Sequence, residues 1–299
     1  MKNFIFNIAI LLFFIVIIWN GLNAQSITFH PYDFRVSMAV SQTAVNDWKQ
    51  GEVVAFEGSS AWDFRKNLSL DFSENLKNDS MIFRFRFYFA SGMLYKSDKK
   101  NKNDFWLPTD NIFGNEAVLV YPLGWKLDPF FSSSFFSQIV PSFIIVNNEE
   151  KMTGKLWDPV TSQQTWGFEY SQTDTTQQIT SKFGISLKQI RAYDHTLQTD
   201  EFKTADIKER YKAVSGLQWK TEAKIKLTSN CDYRGILDAF TTFDDMKKWV
   251  VTFQNEFKIS IWSYLAILIK LDIVYDEKQY FGTQYNQSIR FGIVVDRSN

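Results

Sequence analysis

The sequence has 299 residues, and its 33 basic and 33 acidic side chains balance to a formal net charge of zero. It is 45% hydrophobic and 17% aromatic with only 13 glycines and 6 prolines, a composition that excludes disordered and collagen-like chains. A chain without net charge lacks the broad positive field of a nucleic-acid-binding protein, so we expect no nucleic-acid partner. The single cysteine, Cys231, excludes an intrachain disulfide and a multi-cysteine zinc site.

The first residues have the layout of a secretory signal peptide. Lys2 gives a positive start, Phe4–Trp19 is almost wholly apolar, and the small residue Ala24 stands at the expected cleavage position. The apolar run is shorter than the roughly 20 residues that a transmembrane helix needs, which argues against a retained anchor. We therefore predict a cleaved signal peptide at 1–24 and a mature protein that begins at Gln25.

Most of the remaining sequence alternates between apolar and polar residues. Phe83, Phe85 and Phe87, for example, alternate with Arg84 and Arg86. Because neighbouring residues on a strand point to opposite faces, this period predicts β-strands with one apolar and one polar face. The pattern predicts an N-terminal segment at 25–52 and then a single all-β domain at 53–299. Its strands are predicted at 53–63, 66–76, 81–91, 112–123, 125–139, 164–172, 178–191, 214–229, 232–243, 246–261, 263–276 and 284–296.

Strands of this kind suit either a soluble β-sandwich or an antiparallel transmembrane β-barrel. The predicted strands are long enough for the about 9–11 residues that a membrane strand requires. Aromatic residues stand near the strand ends, as in the aromatic girdles of outer-membrane barrels. These girdle candidates are Tyr88, Trp249, Trp262, Tyr264 and Tyr275. We therefore predict a barrel of about 12 strands in the outer membrane, since bacterial barrels have an even number.

Long and short connections alternate along the predicted strands. The long connections are 92–111, 140–163 and 192–213, and most of the connections between them are short. Outer-membrane barrels have short periplasmic turns and longer outer loops. The alternation therefore predicts that the three long loops face outward and that both termini lie in the periplasm.

Motifs for catalysis or cofactor binding are missing from the sequence. The two histidines are His30, near the predicted mature start, and His195, in a polar loop. A serine hydrolase needs a histidine that takes the proton of a serine, but neither a Gly-x-Ser-x-Gly motif nor a phosphate-binding glycine-rich loop occurs. We predict no enzyme activity, no catalytic residue, no cofactor and no metal site, and we expect His195 to be a solvated loop residue.

Charged residues on the polar faces of the strands are the candidate site, because in a barrel these faces line the lumen. One interpretation is a polar pore or ligand cavity. The other is a lumen filled by side chains that neutralise one another. Both signs occur in similar number, so no selectivity for anions or cations follows. The lumen-facing candidates are Arg84, Arg86, Lys220, Glu222, Lys224, Lys226, Lys270 and Asp272.

Short motifs are spread over residues 38–296. They are Gln42 with Asn46-Asp47-Trp48-Lys49-Gln50-Gly51-Glu52, Thr109-Asp110-Asn111, Trp157-Asp158-Pro159 with Trp166-Gly167-Phe168-Glu169-Tyr170, Ile273-Val274-Tyr275-Asp276-Glu277, and Ile289-Arg290-Phe291-Gly292-Ile293. In these motifs the sequence resembles a Bacteroidetes family of outer-membrane β-barrel proteins of unknown function, of the Asn-Trp-x-x-Gly-Gly type. It departs from that family at Glu52, which replaces the second glycine, and at its end, Asn299, which is not aromatic. The resemblance implies an outer-membrane barrel and transfers no catalytic residue.

The leading hypothesis is a non-enzymatic, porin-like outer-membrane barrel that serves as a narrow channel or as a structural or interaction component. Its expected partners are outer-membrane lipid and other envelope proteins. A membrane-embedded lipid hydrolase is an alternative, and it would depend on His195. A secreted β-sandwich that binds glycans through loop aromatics such as Trp106 and Trp157 is a further alternative.

Overall fold

A computed structural model describes residues 26–46, 53–71, 80–98, 103–146, 149–196, 199–200, 208–276 and 283–298. The predicted signal peptide at 1–24 lies outside these residues. Within the described residues, no helix has both the length and the apolar character needed to cross a bilayer.

Fourteen strands make up the described secondary structure, and twelve of them close into one antiparallel barrel. The strands β6 and β7 form a separate hairpin between β5 and β8. The barrel order is β1-β14-β13-β12-β11-β10-β9-β8-β5-β4-β3-β2, so each strand pairs with its sequence neighbours and β1 closes on β14. The strands are β1 (Ser26–Asn46), β2 (Val53–Asp71), β3 (Ser80–Asp98), β4 (Asn103–Val120), β5 (Asp128–Ser137), β6 (Ser142–Val146), β7 (Glu149–Gly154), β8 (Val160–Thr173), β9 (Gln177–Arg191), β10 (Tyr211–Lys226), β11 (Cys231–Thr242), β12 (Asp245–Ser260), β13 (Leu265–Asp276) and β14 (Thr283–Ser298).

The predicted closed antiparallel barrel of about 12 strands is confirmed, and the β-sandwich alternative is wrong because the strands close a single sheet. Two strand assignments change. The barrel begins with β1, which occupies most of the predicted N-terminal segment and pairs with both β14 and β2. The two strands predicted at 53–63 and 66–76 are the single strand β2. The consecutive polar residues Arg65, Lys66 and Asn67 resemble a turn in the sequence, but ladder pairing continues through them.

The connections place the two longest described links at one end of the barrel. Links 138–159 and 192–210 join strands at the end opposite to the start of β1 and the end of β14. We call this the loop end and the opposite end the terminal end. The short turns 174–176, 227–230 and 261–264 all lie at the terminal end. The predicted loop at 92–111 is wrong, because β3 extends to Asp98 and β4 begins at Asn103.

The two faces of the barrel wall have opposite chemistry, and the apolar face is the outer one. Large apolar side chains on the outside are exposed, including Trp62 at 46%, Phe168 at 54% and Ile289 at 63%. Charged side chains on the inside are buried, including Glu116 at 8% and Glu169 at 3%. This distribution is the reverse of a soluble protein and is typical of a transmembrane barrel with a polar interior.

Aromatic residues are exposed at both ends of the barrel. Trp125, Trp262 and Tyr264 stand on turns at the terminal end, and Tyr193 and Tyr275 stand near the loop end. These positions match the two aromatic girdles of a membrane barrel. One predicted girdle residue does not belong to them. Tyr88 points into the lumen, and its ring lies over Gly114, its direct partner on β4. A Cβ on that glycine would lie only 2.6 Å from the Tyr88 hydroxyl.

Candidate functional site

The lumen is crossed by charged side chains that bind one another from opposite walls. Asp63 on β2 accepts two hydrogen bonds from Arg86 on β3, with Nε–Oδ1 and Nη2–Oδ2 distances of 3.0 Å. The same carboxylate accepts a hydrogen bond from Arg234 Nη2 on β11 at 2.9 Å. Between β2 and β11 the shorter path around the sheet crosses β1, β14, β13 and β12. The contact with Arg234 therefore passes through the lumen.

The chain of ion pairs continues from Arg86 toward β4 and β9. Arg86 Nη1 lies 3.6 Å from Glu222 Oε1, and Lys220 Nζ lies 3.3 Å from the same oxygen. Lys220 Nζ also donates to Glu116 Oε2 at 2.9 Å, and Lys182 Nζ donates to Glu116 Oε1 at 3.2 Å. We call this connected set the lumen network. Its members are Asp63, Arg86, Glu116, Lys182, Lys220, Glu222 and Arg234.

Further ion pairs flank the lumen network. The Nη2 atom of Arg84 on β3 donates to both carboxylate oxygens of the buried Glu169 on β8. Arg35 on β1 pairs with Glu256 on β12 at 2.6 Å, and Lys270 on β13 lies 3.8 Å from the same side chain. The two arginines bind carboxylates on strands that are not their neighbours in the sheet, whereas Lys270 and Glu256 are direct partners on β13 and β12. Charge-assisted hydrogen bonds of this kind are stronger than those between neutral groups.

These contacts require a flattened barrel. Strands about 4.8 Å apart and tilted by about 40° would place opposite walls of a circular twelve-stranded barrel roughly 24 Å apart. An aspartate and an arginine that bond at 2.9 Å, such as Asp63 and Arg234, cannot span that width. The walls that carry β2–β4 and β9–β11 must therefore approach each other.

A pair of facing glycines lets β8 and β9 approach closely. Gly167 on β8 and Gly184 on β9 are direct cross-strand partners. A Cβ on Gly167 would lie 2.0 Å from the carbonyl oxygen of Phe183, and a Cβ on Gly184 would lie 2.1 Å from that of Trp166. Such a close backbone approach is tolerated only by glycine.

Cavities remain on either side of the lumen network. One cavity of about 450 Å³ lies toward the terminal end and is bordered by the β8–β9 turn. A second cavity of about 220 Å³ is lined by Tyr88, Gln254, Lys270 and Asp272 among others. A third, of about 80 Å³, lies beside Glu116. The lumen thus contains separate spaces divided by charged side chains.

The predicted lumen candidates occupy different parts of this arrangement. Arg86, Lys220 and Glu222 belong to the lumen network, and Arg84 and Lys270 belong to the flanking pairs. Lys224 and Lys226 line the cavity of about 450 Å³, and Asp272 lines the cavity of about 220 Å³. Sequence reasoning missed Asp63, Glu116, Glu169, Lys182 and Arg234. The signal for Asp63 and Glu169 was present, since each is a lone acidic residue between two aromatic ones.

His195 is less solvated than predicted. It is half-buried, and its Nε2 atom is enclosed without a hydrogen-bond partner among the described residues. No serine is therefore hydrogen-bonded to this nitrogen there, as a catalytic serine would be. Within the described part of the chain, no group of three or more potential metal ligands converges.

The long links at the loop end are held by specific polar contacts. The buried carboxylate of Asp158 accepts hydrogen bonds from the backbone N–H groups of Tyr193 and Asp194 at 2.7 and 2.9 Å. Lys155 Nζ donates to Asp194 Oδ2 at 2.9 Å on the exposed surface. This hydrogen bond and the charge of Lys155 lower the pKa of the Asp194 carboxyl, and the same contact raises the pKa of Lys155. Trp157 packs on the outer wall, with ring centroids 5.5 Å from both Phe113 and Phe135.

These features together define a transmembrane β-barrel with an obstructed lumen. No protein-family model matches the chain. No curated protein matches it either. Similar solved structures include the translocator domain of the autotransporter NalP from Neisseria meningitidis, with a TM-score of 0.38 and 8% identity over 89% of this chain and 88% of that chain. An outer membrane channel from Pseudomonas putida F1 has a TM-score of 0.39 and 10% identity over 89% of this chain and 96% of that one. An anion-selective porin from Comamonas acidovorans has a TM-score of 0.35 and 9% identity over 91% and 99% of the two chains. Membership of the Bacteroidetes family stays a prediction.

Proposed function

We propose that the protein is a non-enzymatic outer-membrane β-barrel whose lumen is closed by the lumen network, so that it serves as a structural or interaction component rather than an open pore. The observation that carries this proposal is the continuous chain of contacts from Arg234 through Asp63 and Arg86 to Glu222. Conduction needs a path in which ions keep either their water or replacement ligands. Side chains that bind each other across the lumen occupy that path.

The outer surface supports the membrane location. Apolar side chains are exposed on the convex faces of several strands, including Ile185 at 54% and Phe291 at 51%. Exposed aromatics at both ends match the two membrane–water interfaces. The predicted signal peptide supplies export. N-terminal sequencing of outer-membrane fractions should find Gln25 first, and recovery of the protein in a salt-washed soluble fraction would contradict the location.

Planar-bilayer conductance tests the closed lumen. The purified wild-type barrel should give no discrete current steps. The double variant Asp63→Ser/Arg86→Ser removes the bidentate pair without changing net charge, and it should produce steps. The matched control is Asp245→Ser/Lys248→Ser, which removes an exposed pair at the loop end with an N–O distance of 3.2 Å. The control should remain silent.

A narrow channel is the second candidate, because cavities of about 450 and 220 Å³ lie on the two sides of the lumen network. Its signature would be stepwise current through the wild-type protein. That result would overturn the closed-lumen proposal and favour a channel in which the charged side chains rearrange.

A further inference from the structure

The cavity bordered by the β8–β9 turn forms a vestibule at the terminal end of the barrel. Its volume is about 450 Å³, within the range of roughly 300–1,000 Å³ that is typical of small-molecule sites. One side is the turn that joins β8 to β9, and the far side is formed by Asp63 and Arg234 of the lumen network. We call this space the vestibule. A solute would enter it from the side on which the chain termini lie.

Cationic side chains converge on the vestibule from several strands. Lys224 and Lys226 project from β10, and cations from three other strands join them. Lys226 is exposed and forms no ion pair within the described residues. A guanidinium has five N–H donors and an ammonium has three, so each can hold a second anion beside a first one. The five cations are Arg35, Lys224, Lys226, Arg234 and Lys258.

The lumen-facing carboxylates of the vestibule are already neutralised. Asp63 binds Arg86 and Arg234, and Glu256 binds Arg35. Asp232 binds Lys258 at 2.9 Å. An incoming cation would have to break these pairs before it could bind. An incoming anion would meet the exposed ammonium group of Lys226 without breaking them.

The β8–β9 turn adds neutral hydrogen-bonding groups to this wall. It presents the hydroxyl groups of Thr173, Thr175 and Thr176 and the amides of Gln177 and Gln178. The turn is held against β10, because the backbone N–H of Lys226 donates to the Thr176 carbonyl at 2.7 Å. The acidic residue of the turn, Asp174, accepts from the backbone N–H of Thr175 at 2.6 Å, so it caps the turn.

We infer that the vestibule binds a small polyanion, a solute with two or more phosphate or carboxylate groups, which approaches from the terminal end. Lys224 and Lys226 provide the charge that attracts it, and the threonine and glutamine side chains of the turn orient it. This site is independent of whether the barrel conducts, so a conducting wild-type protein would overturn the closed lumen and leave the vestibule test unaffected.

Isothermal titration calorimetry of the detergent-solubilised full barrel with pyrophosphate tests the inference. Wild-type protein should bind pyrophosphate, and glucose and putrescine should give no heat. Lys226→Gln should weaken pyrophosphate binding about tenfold, and Lys224→Gln/Lys226→Gln should weaken it about a hundredfold, since a charged hydrogen bond contributes at least about one factor of ten. The matched control is Lys247→Gln, an exposed lysine at the loop end, which should bind like the wild type.

Several outcomes overturn the inference. Absence of pyrophosphate binding to the wild type, equal binding to the double variant, or equal weakening in Lys247→Gln would each do so. Gel mobility before and after boiling verifies that each variant forms a closed barrel. If the double variant does not fold, Lys226→Gln decides the question alone, because it alters an exposed side chain at the mouth of the vestibule.

Discussion

Replacement of Glu116 by glutamine should destabilise the barrel by about 3 kcal/mol. The Glu116 carboxylate binds Lys220 at 2.9 Å and Lys182 at 3.2 Å. After the substitution, Lys220 would still have the Glu222 carboxylate at 3.3 Å as a partner. Lys182 would lose the carboxylate that binds it. The side chains of Lys182 and Glu116 are only 12% and 11% exposed, so an ammonium would be left buried without its counter-charge. Removal of one partner from such a pair typically costs about 3–5 kcal/mol, and we take the lower end because water reaches part of the lumen.

Urea unfolding in lipid vesicles, followed by tryptophan fluorescence, measures this loss. Asp245→Asn is the matched control, because it breaks an exposed pair whose side chains are 38% and 46% exposed. That control should cost no more than about 1 kcal/mol. The double variant Glu116→Gln/Lys182→Gln should recover most of the lost stability, since it removes the stranded charge as well.

Equal destabilisation by Glu116→Gln and Asp245→Asn would refute the reasoning. It would mean that the lumen is solvated enough for its ion pairs to behave like those of the surface. A double variant that is less stable than Glu116→Gln would also refute it, because the cost would then come from lost packing and not from an unpaired charge.

Three other substitutions test other parts of the structure. Phe85→Arg places a charge on the outer face and should lower the free energy of unfolding by about 2–4 kcal/mol if that position lies near the membrane midplane; unchanged urea unfolding would contradict the outward assignment. Gly167→Ala forces a Cβ to within 2.0 Å of a backbone oxygen and should abolish the gel-mobility shift of the closed barrel; a normal shift would contradict the close approach of β8 and β9. Lys155→Gln should raise the depressed pKa of the Asp194 carboxyl toward its ordinary value, measured by NMR titration of labelled aspartate. Because the pKa of Asp194 is lowered in the folded state, its contact with Lys155 stabilises the loop end above about pH 4, and this stabilisation is lost as the pH falls through the folded pKa. A pKa of Asp194 that is the same in Lys155→Gln and the wild type would show that the two side chains do not interact.

Alternation predicts the strands well wherever the inner face is polar. This holds from β10 to β14, where Lys220, Glu222, Lys270 and Asp272 alternate with apolar outer residues, and predicted and observed bounds nearly coincide. It fails in β4, because the inward residues Val118 and Val120 are themselves apolar and pack on Phe130. Alternation also fails in β1, because a small residue such as Ser37 faces inward and gives little contrast with the outer residues.

The partners across the lumen could not be predicted from the sequence. Period-two alternation places Arg86 on the inner face, and pairing of β2 with β3 brings it to Asp63. Only the flattening of the barrel brings it to Glu222 on β10. Flattening depends on strand stagger and on where the corners fall, and neither is visible in a two-residue period. Because Arg86 forms a bidentate pair with Asp63, Arg86→Gln should clearly lower the free energy of unfolding measured with urea.

The lumen network also has a kinetic consequence. Asp63 and Arg234 are 171 residues apart in sequence, and Glu116 and Lys220 are 104 apart. Contacts with such long separations form only after the loops between them have closed, so they are made near the end of folding. Interactions absent from the transition state act mainly on the unfolding rate. The ion pairs of the lumen thus govern how long an inserted barrel persists more than how fast it inserts.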